Sequence, residues 1–288
     1  MINYNPKTWL QMIFAFNKSD TLRVLWKEIF YIAIFTFLIT FLILRFTPGN
    51  KDLEKLITVY SLIGFVISLL LIFRTNTAYD RWWEGRKKWG ELINDTRNFS
   101  VKLSTMLTNT EDRDFFMRMI PNFVFAAKES LRSGVKIDEL QLLPDELAFI
   151  NTKKHQPLSM IQLIYRKLIE AKKNNIISDQ DFVILDKNCN KLMDSLGACE
   201  RIRHTPIPFS YSLFIKKFTF IYVTTLPIAL VSNYGYFSVL IATFIFYVLV
   251  SIEVLAEEIE DPFGHDDNDL PTDLFCEKIR STTIEVFN

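Results

Sequence analysis

Leu56-Ile-Thr-Val-Tyr-Ser-Leu-Ile-Gly-Phe-Val-Ile-Ser-Leu-Leu-Leu-Ile-Phe73 runs for 18 residues without a charged side chain. As an α-helix it spans roughly 27 Å at 1.5 Å per residue, close to the ~30 Å hydrocarbon thickness of a bilayer. The run has no polar face, which favours a membrane crossing over a buried helix of a soluble enzyme.

Upstream, residues 29–44 are also uncharged. That segment is slightly short, but Phe46 extends it, and Lys27 and Arg45 can snorkel to the headgroups. Downstream, residues 218–252 carry no charge and are too long for one crossing. Asn233-Tyr234-Gly235 supplies a turn, predicting two crossings at 211–231 and 236–252. Lys216 and Lys217 then snorkel, and Pro227 sits inside a membrane helix as a tolerated kink. The charges, 33 basic and 33 acidic in 288 residues, concentrate between these stretches. The balance gives no global field for nucleic acid.

Four crossings put both termini and residues 75–210 on one side. Arg23, Lys27, Arg74, Arg81, Arg86, Lys87, Lys88, Lys216 and Lys217 flank the spans there, so the positive-inside rule makes that side cytoplasmic and the membrane the inner, plasma membrane. The start, Met1-Ile-Asn-Tyr-Asn-Pro, lacks a basic region leading into an apolar stretch, so no cleaved signal is expected. Cys189, Cys199 and Cys276 then sit in a reducing compartment, and their scattered spacing argues against a disulfide framework.

The chain divides accordingly. Residues 1–27 form an amphipathic entry segment, with Trp9, Leu10, Ile13, Phe14 and Phe16 beside Lys7 and Lys18, either lying in the interface or packing on a neighbouring domain. Residues 28–74 hold the first two crossings, 75–210 a cytosolic helical region, 211–252 the last two crossings, and 253–288 an acidic cytosolic segment. Between 81 and 133, and again over 158–173 and 178–203, apolar residues recur at helical spacing, while Pro144 and residues 151–157 mark connections. No strand alternation is sustained. The expectation is an all-α integral membrane protein whose four transmembrane helices continue into a cytosolic helical bundle.

Phe65, Leu69 and Phe73 follow at four-residue steps and project from one face of the second crossing. Ser61, Gly64 and Ser68 form a small-residue face suited to close helix packing. By itself the Phe/Leu face either meets lipid or, if several copies surround an axis, forms apolar rings that gate by dewetting. The Trp and Tyr rings and basic residues of 74–90 suit a membrane surface. Glycines 85 and 90 make no phosphate loop, because no strand precedes them. Cys199 and His204 lack the further ligands that zinc needs. Residues 253–271 hold eight acids, which either are solvated, pair with Arg81, Arg86 or Arg201, or offer oxygens to a hard cation such as calcium. Histidines 155, 204 and 265 lie far apart, and no catalytic constellation is present, so no enzyme is expected.

Arg81-Trp-Trp-Glu, the run Cys-Glu-Arg-Ile-x-x-Thr-Pro-Ile-Pro-Phe-x-Tyr at 199–211, and Glu-Asp-Pro-Phe-Gly-x-Asp-Asp-Asn-Asp-Leu at 260–270 closely resemble the bestrophin family in its bacterial branch. The resemblance covers nearly the whole chain in the expected order. It implies a homopentameric channel for small monovalent ions, with one pore on the fivefold axis. The family's hydrophobic neck would fall on Phe65, Leu69 and Phe73. A second, cytosolic aperture would fall on Ile177 or Gln180, the latter polar where an apolar residue is usual. The calcium loop of eukaryotic relatives would match Asp266 and Asp269, with Asp261 where an Asn is usual and His265 where an acid is usual. No cofactor is otherwise required, and the expected partners are further copies of the chain, membrane lipid and the permeant ions, chloride or sodium. A competing reading is a membrane-anchored scaffold or sensor whose cytosolic helices bind a partner.

Overall fold

The computed structural model describes residues 21–47 and 52–288, so most of the amphipathic entry segment 1–27 lies outside the described residues. Among the described residues there is no strand, and nine α-helices follow one another: α1 Thr21–Phe46, α2 Asp52–Met106, α3 Thr110–Ser130, α4 Pro144–Asn151, α5 Gln156–Lys173, α6 Asp179–His204, α7 Phe209–Tyr234, α8 Phe237–Glu260 and α9 Thr272–Phe287. Four segments among them are long and apolar enough to cross a bilayer: α1, the apolar part of α2, one within Asp179–Tyr234, which contains α7, and α8. The chain is a membrane protein, and helices are its regular structure throughout the described residues.

The chain divides into two compact units. The first contains α1, α2 up to Trp82, Pro206–Asp261 and Asp266–Asn268. Its core joins all four helices through Ile32, Ile67, Leu71, Ile215, Tyr222, Leu226 and Phe246. Large apolar side chains on the outside, among them Phe30, Leu38, Leu62, Phe220 and Phe244, stay exposed. A patch of that extent is stable only against lipid or another protein surface. Polar groups inside are satisfied locally: the Thr36 hydroxyl donates to the Ile32 carbonyl at 2.8 Å, and Thr40 meets Ser238 at 3.1 Å. Gly235 ends α7 with a φ of 53°, and its N–H bonds the Val231 carbonyl at 2.8 Å, making the expected turn before α8. A left-handed backbone at this point favours glycine.

The second unit holds Trp83–Thr205, Pro262–His265 and Asp269–Asn288. α3 packs on α9 and α5, and α5 on α6 and α4. The inner half of α3, including Phe116, Ile120 and Phe123, is fully buried. α2 runs without interruption through the expected border between 74 and 75, and 55 residues make it roughly 80 Å long. It stops before Asn109, whose side chain accepts the Glu111 N–H at 2.9 Å and caps α3. Pro144 opens the short helix α4 instead of marking a plain connection, as a first-turn proline can. Ser178 and Asp181 form a capping box that starts α6.

Candidate functional site

Within the first unit α2 has two contrasting sides. Ile67, Leu71, Arg74 and Ala78 are buried, whereas Phe65, Leu69 and Phe73 are 62%, 37% and 59% exposed. Three large apolar side chains at four-residue steps therefore stay uncovered by their own chain. Asn76, Thr77 and Asp80 continue the exposed side toward the end of the apolar run. The packing side differs from the small-residue face expected from sequence. Only Gly64 makes a close approach: a Cβ there would sit 2.6 Å from the Tyr222 hydroxyl. Ser61 and Ser68 remain exposed, and their hydroxyls return to the carbonyls of Ile57 and Gly64 at 2.8 and 2.9 Å. Serine in an apolar helix satisfies itself this way without needing a partner helix.

Arg74 is only 1% exposed, so it does not snorkel as a residue at the end of an apolar run is expected to. Its Nη2 lies 2.5 Å from Glu260 Oε2, and its Nε lies 3.9 Å from Glu253 Oε1. Glu260 also accepts the Ile207 N–H at 2.7 Å, and its carbonyl accepts Arg81 Nε at 3.1 Å. The Tyr211 hydroxyl donates to the Leu70 carbonyl at 3.2 Å. Trp82 Nε1 donates to the Asn268 carbonyl at 3.0 Å, and Asn268 in turn donates to Glu258 at 2.7 Å. The three sequence motifs thus converge on the segment of α2 that follows the Phe/Leu face and fix its position. Sequence reasoning missed Arg74 as their hub. Of the acids in the 253–271 run, Glu260 pairs with Arg74 and Glu257 with Lys216, while Arg81 engages a carbonyl and Arg86 stacks over Trp83 with 4.8 Å to the ring centroid.

In the second unit, Ile177 is 3% exposed whereas Gln180, in the first turn of α6, is exposed. A Cβ on Gly85 would come within 2.9 Å of Pro262 and 3.1 Å of Phe263, which explains a glycine in mid-helix where the Pro-Phe-Gly motif packs. Arg132 Nε holds the Phe263 carbonyl at 3.0 Å. Around α3 the charges interlock. Arg132 donates to both oxygens of Asp273 at 2.9 and 2.8 Å and to Glu129 at 3.1 Å. The Arg132 hydrogen bonds hold the Asp273 carboxyl well below the usual carboxylate range, against burial, with Lys128 adding to the effect. Burial works against the charge on Lys128, but hydrogen bonds to Asp273, Glu139 and Glu129 outweigh it and raise its pKa. Burial pushes the Cys189 and Cys199 thiols up to about 12.

The acidic residues expected to hold calcium do not assemble into a recognisable centre. Asp261 and Asp266 belong to the first unit and Asp269 to the second, and Asp269 is buried while Asp266 is exposed. Among the described residues no three His, Cys, Asp or Glu side chains gather as a metal site would require. The donor set does not fit calcium.

A family model described as bacterial/fungal bestrophin protein matches residues 1–285. A voltage-dependent anion channel-forming protein of Nostoc sp. is 31% identical over 281 residues, covering 95% of this chain and 90% of the relative. A protein of the same description from Escherichia coli K12 is 31% identical over 289 residues, covering 99% and 94%. The crystal structure of a bacterial bestrophin homolog from Klebsiella pneumoniae aligns with a TM-score of 0.79 at 26% identity, covering 90% of this chain and 98% of that one. Another crystal structure, of a membrane protein carrying a G264A change in its own numbering, aligns with a TM-score of 0.83 at 25% identity, covering 91% and 98%.

Proposed function

The chain belongs to the bacterial and fungal bestrophin family, and on that footing we propose that it is an ion channel, not an enzyme, that passes small monovalent ions through a central pore formed by five copies. The observation that carries the reading is the bare Phe65, Leu69, Phe73 face, set opposite a buried packing side on the same helix. Copies of α2 around an axis would turn this face into three stacked apolar rings. Such a neck offers an ion no charge and no hydrogen bond, so its conductance depends on whether water fills it. Phenylalanine ring edges carry partial positive charge, which gives an anion a favourable contact once the neck is wet. The two relatives above are named for anions, and chloride is accordingly the first permeant ion to test.

The same reading places the protein in the inner membrane with both termini and the second unit in the cytoplasm, because the basic flanks of the spans collect on that side. Gln180 is the better candidate for the cytosolic aperture, since the Ile177 side chain is spent in the core. A polar ring there would pass hydrated ions and leave the neck as the main barrier. Planar-bilayer recording of the purified protein tests the reading together with its mass in detergent. Chloride currents from a pentamer are expected. A silent bilayer at all voltages, or a monomer unable to enclose an axis, would point instead to a membrane-anchored scaffold.

A further inference from the structure

A cavity of about 310 Å³ opens between α1, α7 and α8 in the first unit. Its walls are largely apolar, with Leu25, Ile215, Phe246 and Val250 among them, and its polar lining is Glu28, Glu253, Glu257, Lys216 and Thr219. Two of these are buried without a hydrogen-bond partner: both carboxylate oxygens of Glu253, which is 5% exposed, and the hydroxyl of Thr219. Lone buried acceptors of this kind are costly unless something supplies donors. Arg74 faces Glu253 as an ion pair at 3.9 Å, too far for its Nε to donate a hydrogen bond. The lining carries three acids against one base, and Lys216 is already paired with Glu257.

The cavity's height in the membrane narrows the choice of occupant. Glu28 precedes the uncharged run of α1, Lys216 precedes that of α7, and Glu253 ends that of α8. All three runs therefore meet the headgroup layer at this cavity, with apolar walls beyond it. We infer that the cavity binds a phospholipid with a primary ammonium headgroup, phosphatidylethanolamine, whose N–H donors satisfy Glu253 and Thr219 while an acyl chain lies against Phe246 and Val250. A choline headgroup has no N–H to donate, and a glycerol headgroup can donate through its hydroxyls but has no positive charge to offset its phosphate against an acidic lining. The inference rests on α1, α7 and α8 crossing the membrane and not on the pore, so it stands or falls independently of channel activity.

Native mass spectrometry of the full-length protein, delipidated and titrated with ethanolamine, choline and glycerol phospholipids of identical chains, tests it. One charge-assisted hydrogen bond predicts a preference of roughly tenfold for the ethanolamine lipid. Glu253→Gln should abolish the preference, and Val250→Trp, which fills the cavity and keeps the carboxylate, should abolish it too. Equal retention of the three lipids by the wild type would overturn the inference, as would an unchanged preference in both variants. Dodecylamine serves as a soluble ammonium: if it binds with the same dependence on Glu253 while the phospholipid does not bind, the lipid assignment is wrong.

Discussion

Replacing Arg74 by methionine keeps most of the side-chain volume and removes one buried positive charge. The guanidinium is 1% exposed, and its two partners, Glu253 and Glu260, have side chains only 6% and 14% exposed. Breaking a buried pair from one side strands the remaining carboxylates without compensation, at a cost of about 3–5 kcal/mol. At about 2–4 °C per kcal/mol for chains of this size class, the melting temperature should fall by roughly 6–20 °C. Thermal unfolding in detergent, followed by tryptophan fluorescence, measures the shift. Arg74→Met with Glu260→Gln should recover part of the loss, because a glutamine can still accept the Ile207 N–H through its carbonyl oxygen without carrying a charge. A single variant melting within about 2 °C of wild type would refute the buried-hub reasoning, given the burial cost quoted above. So would a double variant no better than the single.

Asp80 is exposed on the same side of α2 as Phe65, Leu69 and Phe73, the proposed neck, and forms no ion pair among the described residues, so Asp80→Asn should raise the anion-to-cation permeability ratio by roughly twofold, as read from reversal potentials in asymmetric salt. Cys189 and Cys199 stay as thiols at neutral pH because burial lifts them to about 12, and a maleimide should label neither until the protein is unfolded in detergent; rapid labelling of the native protein would contradict their burial. Asp273 has a depressed folded pKa, so its contribution is present above the unfolded value near about pH 4 and is lost as pH falls through the lower folded value. Asp273→Asn should therefore lower the melting temperature at neutral pH, with the difference from wild type shrinking under stronger acid. A difference that grows with acidity would show that the carboxylate is not held by Arg132.

The membrane helices are legible from the sequence because a bilayer imposes a length and forbids charge, and both constraints are local. The turn at Gly235 and the four-residue spacing of Phe65, Leu69 and Phe73 are local for the same reason. Arg74 is different. At the end of an apolar run a lone arginine reads as a snorkelling anchor, and only the return of α8, 186 residues later, brings Glu260 against it and turns it inward. The serines at 61 and 68 misled in the opposite direction, since a small side chain permits close packing without causing it. Gly64 packs closely because Tyr222 lies against it, and that contact is again distant in sequence. The end of α2 before Asn109 was hidden because no proline or glycine marks it, and the cap is made by one asparagine side chain. At residues 177–180 the chain passes from core to solvent within one turn, with Ile177 buried and Ser178, Asp179 and Gln180 exposed, so a shift of one position in a motif match changes which environment is assigned.

We propose Phe65, Leu69 and Phe73 as the narrowest apolar part of an ion pathway. Single-channel recording of Phe65→Ala, Leu69→Ala and Phe73→Ala combined, with the mass of the assembly measured in parallel, tests it most directly. A larger chloride conductance from an intact pentamer is expected, because methyl groups in place of rings and isobutyl chains would widen the neck and let water fill it. An intact pentamer with unchanged currents would contradict it.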